Sequence, residues 1–385
     1  MKNIVLRVLS YILVAVVAAC TTLLLCRVDG TGKLEQLQNL VTDRFIGEAE
    51  EKELEDAAAK AMVSALGDRW SHYQTKEEYL QYLEIMSNSY VGVGITIQVR
   101  EDGTGCDVQQ VTAGGPAEEA GVCTGDVITH VDGQSIAGMD TAEIGNLVRG
   151  EENTTVELTV LREGNALTLK VTRRRLETEV ATAQMLEDKI GLVTIANFDE
   201  RCAEETIAAI EELCNQGATA LVFDVRNNPG GYKREMVEVL DYLLPEGALF
   251  RTVDYRGRED VDTSDASCLD IPMAVVVNLH SYSAAEFFAA ALDEYDAAVI
   301  VGEKTFGKGY FQNTYRLSDG SAVTLSVGKY FTPKGNSLAG VGLTPDVEHI
   351  VDEETAALIA AGLVTPEEDP QIIAAVNALK SGKNP

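Results

Sequence analysis

Three consecutive segments, KIGLVTIANF (189–198), ETIAAIEELCNQG (205–217) and ATALVFDVRNNPGG (218–231), decide the fold. The first is a short apolar run with strand character. The second places apolar residues at helical spacing. The third is a β-branched and aromatic run that ends in Asn-Pro-Gly-Gly, a turn signal. Strand, helix, strand is the order of a parallel sheet covered by helices. The alternation continues with a helix at REMVEVLDYLL (234–244), a strand at IPMAVVVNL (271–279) and a helix at SAAEFFAAALDEY (283–295). AAVIVGEKTFGKG (297–309) runs from a strand into a loop, and YFQNTYRL (310–317) with SAVTLSVGKYFT (321–332) predicts a hairpin across Asp319-Gly320. This is an α/β domain over 176–352, followed by a helical C-terminal tail over 353–385.

Upstream, residues 33–66 read as helix, with few breakers, and belong to a helical N-terminal arm over 31–88. Around Tyr90 the period changes to that of strands. YVGVGITIQV (90–99), CDVQQV (106–111), DVITHVDG (126–133), TTVELTVLR (154–162) and ALTLKVTR (166–173) are punctuated by Gly and Asp-Gly turns, with one helix at TAEIGNLVRG (141–150). This β-rich module, 89–175, resembles a PDZ domain. The resemblance implies that Val91, Gly92, Val93, Gly94 and Ile95 form the loop whose N–H groups hold a peptide's terminal carboxylate. The peptide would then add a strand beside Ile95 and Ile97.

At 385 residues, with 45% hydrophobic residues, the chain is long enough for two or three folded domains. Its 31 Lys and Arg against 61 Asp and Glu give a formal net charge of −30. That charge argues against nucleic-acid binding, which needs clustered cations. Residues 8–26 carry no charge and approach the length of a bilayer span, with Lys2 and Arg7 before them. An anchor over 1–30 is therefore expected, its N-terminus cytoplasmic and the remaining chain extracytoplasmic. Val17-Ala18-Ala19-Cys20 has the look of a lipoprotein cleavage box, yet the apolar run continues past it through Leu25. Beyond the anchor, five cysteines and four scattered histidines offer no metal-ligand spacing, and Cys106–Cys123 pairing stays open against free thiols.

Three loop segments could carry chemistry. Ser283-Ala284-Ala285-Glu286 fits a capping box, and a Ser at a helix N-terminus is also placed to act as a nucleophile beside free N–H groups. The stretch 302–309, GEKTFGKG, misses a phosphate loop at its last position, where Gly309 replaces the hydroxyl. Its Lys308 could instead serve as a general base, provided its pKa falls from about 10.4 toward 7–8. On a strand, Lys308 and Gln312 would share a face, so a neutral amide could orient the amine. The turn DVRNNPGG (224–231) could supply oxyanion-binding N–H groups.

Together, Ser-x-Ser-Ala-x-Glu, a Gly-Lys-Gly whose Lys follows Ser283 by 25 residues, a Gln four residues later and DxRxNxGG resemble the C-terminal processing peptidases. GDRWSHY (67–73), KYFTPKGNSLAGVGLTPDV (329–347) and DPQIIAAVNAL (369–379) extend that resemblance. It implies a ClpP/crotonase-like core and a serine endopeptidase with Ser283 as nucleophile, Lys308 as base and Gln312 as its orienting amide. Gly231 and Ala284 would supply the oxyanion hole. The chain departs from the family's usual Ser-x-Ser-x-Ser-Glu at Tyr282 and Ala285. His280 raises a Ser–His alternative without an acid partner. The implied partners are proteins or peptides with accessible apolar C-termini, and no cofactor or metal is implied. The arm and tail resemble segments that dimerise in relatives, which leaves a homodimer open. The rival reading is a tethered PDZ adaptor with an inactive protease domain.

Overall fold

The structure, a computed structural model, describes residues 13–14, 16–18, 21 and 32–382. The apolar stretch 8–26 falls largely outside the described residues, and the expected anchor with it. Among the described residues no helix is long and apolar enough to cross a membrane. The chain forms two compact units, one of residues up to 76 with 314–325, the other of 77–313 with 326–385.

In the first unit the expected helical run is split into Lys33–Arg44 and Glu51–Ser64. The break begins at Phe45, whose backbone turns extended (φ −70°, ψ 132°). His72–Gln74 is a strand that pairs antiparallel with residues 322–324, and three residues are too few to show a period. Tyr73 is buried and its hydroxyl donates to Asp56 at 2.6 Å.

The second unit holds three apolar clusters, one in the PDZ-like module and one on each face of the α/β sheet. In the PDZ-like module the strand order places Ile95–Val99 at one edge, followed by Cys106–Val111, Val127–Val131, Thr155–Arg162 and Asn165–Thr172. Ile128, Ile144, Leu158 and Val160 are fully buried at its centre. Strands Ser89–Gly92 and Arg174–Glu177 pair antiparallel where the chain enters and leaves the module.

The α/β part is a six-stranded sheet. Its order is Ala181–Met185, Ile190–Ile195, Ala220–Asp224, Met273–Val277, Ala298–Gly302, Val347–Glu348, all parallel except the first pair. Alternate residues explain why the central strands read as unbroken apolar runs, as strands covered on both faces do. Val193, Ile195, Leu221, Phe223, Val275 and Ile300 face a core completed by helices Cys202–Asn215, Lys233–Leu243 and Ala284–Glu294. Leu192, Val222, Ala274, Val276 and Val301 face the other way, onto Ile372, Ala375 and Ala378 of helix Pro370–Lys380. Beside this sheet, Gly247–Asp254 pairs with Glu259–Ser264 and with residues 328–331 of the long strand Ala322–Phe331. The loops after the parallel strands gather at the sheet's C-terminal edge, where α/β folds build their sites.

Candidate active site

Strand Met273–Val277 ends in a loop that is fixed before the helix begins. The Ser281 hydroxyl donates to the Val225 carbonyl at 2.7 Å and accepts the Asn278 N–H at 3.0 Å, and the Asn227 and Asn278 side chains bond each other. Two strand ends are thereby tied together. Ser283 follows with φ 60° and ψ −126°, a conformation that costs about 1–3 kcal/mol for a residue with a Cβ. It is 8% exposed, at the start of helix Ala284–Glu294, and its Oγ lies 3.0 Å from the Tyr330 hydroxyl.

The Asn-Pro-Gly-Gly turn lies directly against this Ser. Buried Asn228 shapes it by donating to the Ile195 carbonyl and accepting the Gly230 N–H, both at 2.8 Å. Gly230 has φ 88°, and a Cβ there would come within 2.7 Å of Ser283 Cβ and 2.8 Å of the Ala284 nitrogen. Gly231 is exposed, and a Cβ on it would meet the Phe198 carbonyl carbon at 2.3 Å and Asp199 Oδ1 at 2.6 Å. Both positions therefore exclude a side chain. Gly231 and Ala284 stand on the two segments that meet at Ser283.

Asp199 carries no sequence signal and was missed. It is 6% exposed beside this turn. Burial, with the nearby charges of Glu200 and Glu235, pushes its carboxyl up to about 7.

Glu286 connects the Ser to the Lys. Its fully buried carboxylate accepts the N–H of Ser283 (3.1 Å), the Thr305 hydroxyl (2.5 Å) and the N–H groups of Gly307 (2.6 Å) and Lys308 (2.9 Å). Burial raises its pKa, while these donors oppose the rise. The capping-box reading is thus half of its role, since the same side chain fixes the loop that bears Lys308.

Lys308 is half-buried in that loop and does not stand on a strand, because the strand starts only at Tyr310. The expected strand-face alignment with Gln312 is corrected accordingly. The cause is packing by the glycines. A Cβ at Gly307 would sit 2.9 Å from the Gly342 nitrogen, and one at Gly309 would sit 2.3 Å from Ala339 Cβ, so the loop is pressed onto residues 338–342. Half-buried Gln312 donates to the Tyr310 carbonyl (3.0 Å) and the Ser326 hydroxyl (3.1 Å). Tyr282 packs its ring 5.5 Å from Phe306 of the same loop, and Ala285 is fully buried. His280 is exposed.

The DxR part of the turn has a separate task. Arg226 bonds Asp224, Asp369 and Gln371. Burial pulls its pKa down, but the two carboxylates outweigh that and hold it protonated.

In the PDZ-like module, Gly92, Val93 and Gly94 are buried and Ile95 opens the edge strand. The Gly94 carbonyl accepts from Thr112 and the Val93 carbonyl from Ala117, both at 2.9 Å. The Val91 N–H already donates to Glu84 Oε1 at 2.9 Å. A carboxylate of the chain itself thus takes the Val91 N–H. All five described cysteines are free, and no group of side chains that could hold a metal occurs among the described residues.

Residues 189–349 match the model of peptidase family S41, and residues 108–162 match a PDZ domain. A "Probable CtpA-like serine protease" of Staphylococcus aureus strain N315 is 34% identical over 319 residues, which cover 82% of this chain and 64% of that protein. A protein of the same description from Staphylococcus saprophyticus is 33% identical over 322 residues, covering 83% and 65% respectively. The chain thus spans just under two thirds of the length of these relatives. The solved photosystem II D1 C-terminal processing protease is 29% identical, with TM-score 0.50 over 87% of this chain and 90% of that one. With an S41 peptidase domain and a PDZ domain in one chain, this protein is similar to the C-terminal processing peptidases.

Proposed function

We propose that the protein is a membrane-tethered, extracytoplasmic serine endopeptidase that cleaves proteins recognised through their C-termini. One observation carries the reading. The Glu286 carboxylate holds both the strained Ser283 and the Lys308 loop, beside a glycine turn that admits no side chain. Neutral Lys308 takes the Ser283 Oγ proton as Oγ bonds to the scissile carbonyl carbon. The carbonyl π pair moves onto oxygen, which the Gly231 and Ala284 N–H groups receive. Collapse breaks the C–N bond, and Lys308 hands its proton to the departing amine. Water then repeats the sequence on the ester.

Gln312 helps to hold the amine without adding a charge that would keep it protonated. No metal or organic cofactor enters these steps. A ClpP/crotonase-like descent of the sheet belongs to the same reading. Gly92, Val93, Gly94 and Ile95 would receive the substrate's carboxylate. Ile95 and Ile97, half-buried on the edge strand, would favour an apolar C-terminus. The uncharged stretch 8–26 supports the tether. Purified full-length protein should degrade an unfolded substrate protein, and Ser283→Ala should abolish turnover. Equal turnover by that variant would remove the proposal.

A further inference from the structure

Ser283 Oγ has a neighbour that these steps leave unused. The Tyr330 hydroxyl lies 3.0 Å away, on a residue that is 5% exposed. Its ring is wedged among Phe287 (centroids 4.6 Å apart), Phe250 (5.5 Å) and Phe311 (6.3 Å). A phenylalanine would satisfy that packing equally, so packing does not account for the hydroxyl. The strand that carries Tyr330 is fixed on both sides. Tyr330 pairs with Thr252, its N–H donates to the Gly309 carbonyl at 3.3 Å, and Ser326, four residues earlier, receives Gln312. One strand therefore contacts the nucleophile, the residue after Lys308 and the amide.

The direction of the hydrogen bond follows from the proton inventory. Burial raises the Tyr330 pKa far above that of an ordinary phenol, the bond to Ser283 opposes the rise, and the Glu286 charge adds to it. The phenol keeps its proton at any working pH. Ser283 Oγ is its hydrogen-bond partner among the described residues, and a buried O–H without an acceptor costs about 1–3 kcal/mol. Tyr330 therefore donates, which leaves the proton of Ser283 for another acceptor.

We propose that Tyr330 is a further catalytic residue, a neutral donor to Ser283 Oγ that fixes its rotamer and stabilises the negative charge on Oγ. That charge develops as the proton leaves during acylation, and again as Oγ departs during deacylation. Tyr330 neither gains nor loses a proton, and no bond to it is made. The inference rests on the Ser–Lys reading above.

The test uses full-length protein, a peptide substrate and a fluorophosphonate probe. Tyr330→Phe should lower kcat by about 10- to 100-fold, somewhat less than loss of an oxyanion donor. KM should stay within about twofold, because ground-state binding is untouched. Ring-fluorinated tyrosine at 330 keeps the packing and donates more strongly, so it should label faster than the natural residue. This arm also decides the matter if the Phe variant fails to fold. Wild-type kcat in the Phe variant, or fluorinated protein that labels no faster, overturns the role of Tyr330. If Ser283→Ala still turns over substrate, the Ser–Lys reading itself falls, whatever Tyr330 does.

Discussion

Glu286 shows how much one buried carboxylate can organise. Each of its oxygens accepts from two donors. Glu286→Gln keeps the shape but turns an NH2 toward N–H groups that need an acceptor. It should cost about 2–4 kcal/mol of stability and lower kcat/KM by more than about 100-fold, as thermal unfolding and peptide cleavage would reveal. Asp199 gives a pH prediction. Its folded pKa of about 7 exceeds the unfolded value of about 3.9, so the folded state holds a proton that the unfolded state has lost. Stability from this group therefore falls as pH rises from about 4 to about 7, by up to about 4 kcal/mol. The groups facing it are Glu200, Glu235, Tyr82, Tyr232 and Cys202, with Arg234 paired to the two glutamates. Asp199→Asn should raise the melting temperature more at pH 8 than at pH 5, and an equal shift at both would contradict the assignment. Ser283, Lys308, Gln312, Gly231 and Ala284 could be selected from short motifs because each stands in or directly beside a recognisable loop. Tyr330 and Asp199 could not, since their importance comes from contacts with residues 47 and about 30 positions away in the chain.

At the level of elements, the loop and the tail are each held by something the local sequence does not announce. The Lys308 segment reads from sequence as a loop, and its conformation is set by close approach to residues 338–342. Gly309→Ala would force a Cβ into Ala339 and should cost about 1–3 kcal/mol and at least about tenfold in kcat. Adding Ala339→Gly should restore part of both losses. The helix Pro370–Lys380 reads from sequence only as part of a helical tail. In the fold it covers one face of the sheet, and Asp369 at its N-terminus pairs with buried Arg226 at 2.8 Å. Asp369→Ala leaves that guanidinium short of a partner and should destabilise the protein by about 3–5 kcal/mol, measured by denaturant unfolding. The alternation of strand and helix was legible because the sheet is covered on both faces. The strand His72–Gln74 was not, because its partner lies about 250 residues further along the chain.

The whole molecule joins a PDZ-like module with an exposed edge strand to an α/β body whose strand ends bring Ser283 and the Lys308 loop onto one carboxylate. The net charge of −30 has no part in the proposed chemistry, which would run on a neutral Lys, hydroxyls and backbone N–H groups. If the segment Gly92, Val93, Gly94 and Ile95 receives a carboxylate, amidating a substrate's C-terminus should raise KM by at least about tenfold, with kcat less affected. Equal KM for both forms would separate the module from substrate capture. The central claim is that Ser283 is activated by Lys308. Its most direct test is mass spectrometry of the full-length protein after brief exposure to a fluorophosphonate at pH 8. A single adduct on Ser283 is expected, labelling at least about a thousandfold slower in a folded Lys308→Arg variant, because a guanidinium cannot take the proton. An adduct on another residue, or undiminished labelling of Lys308→Arg, would contradict it.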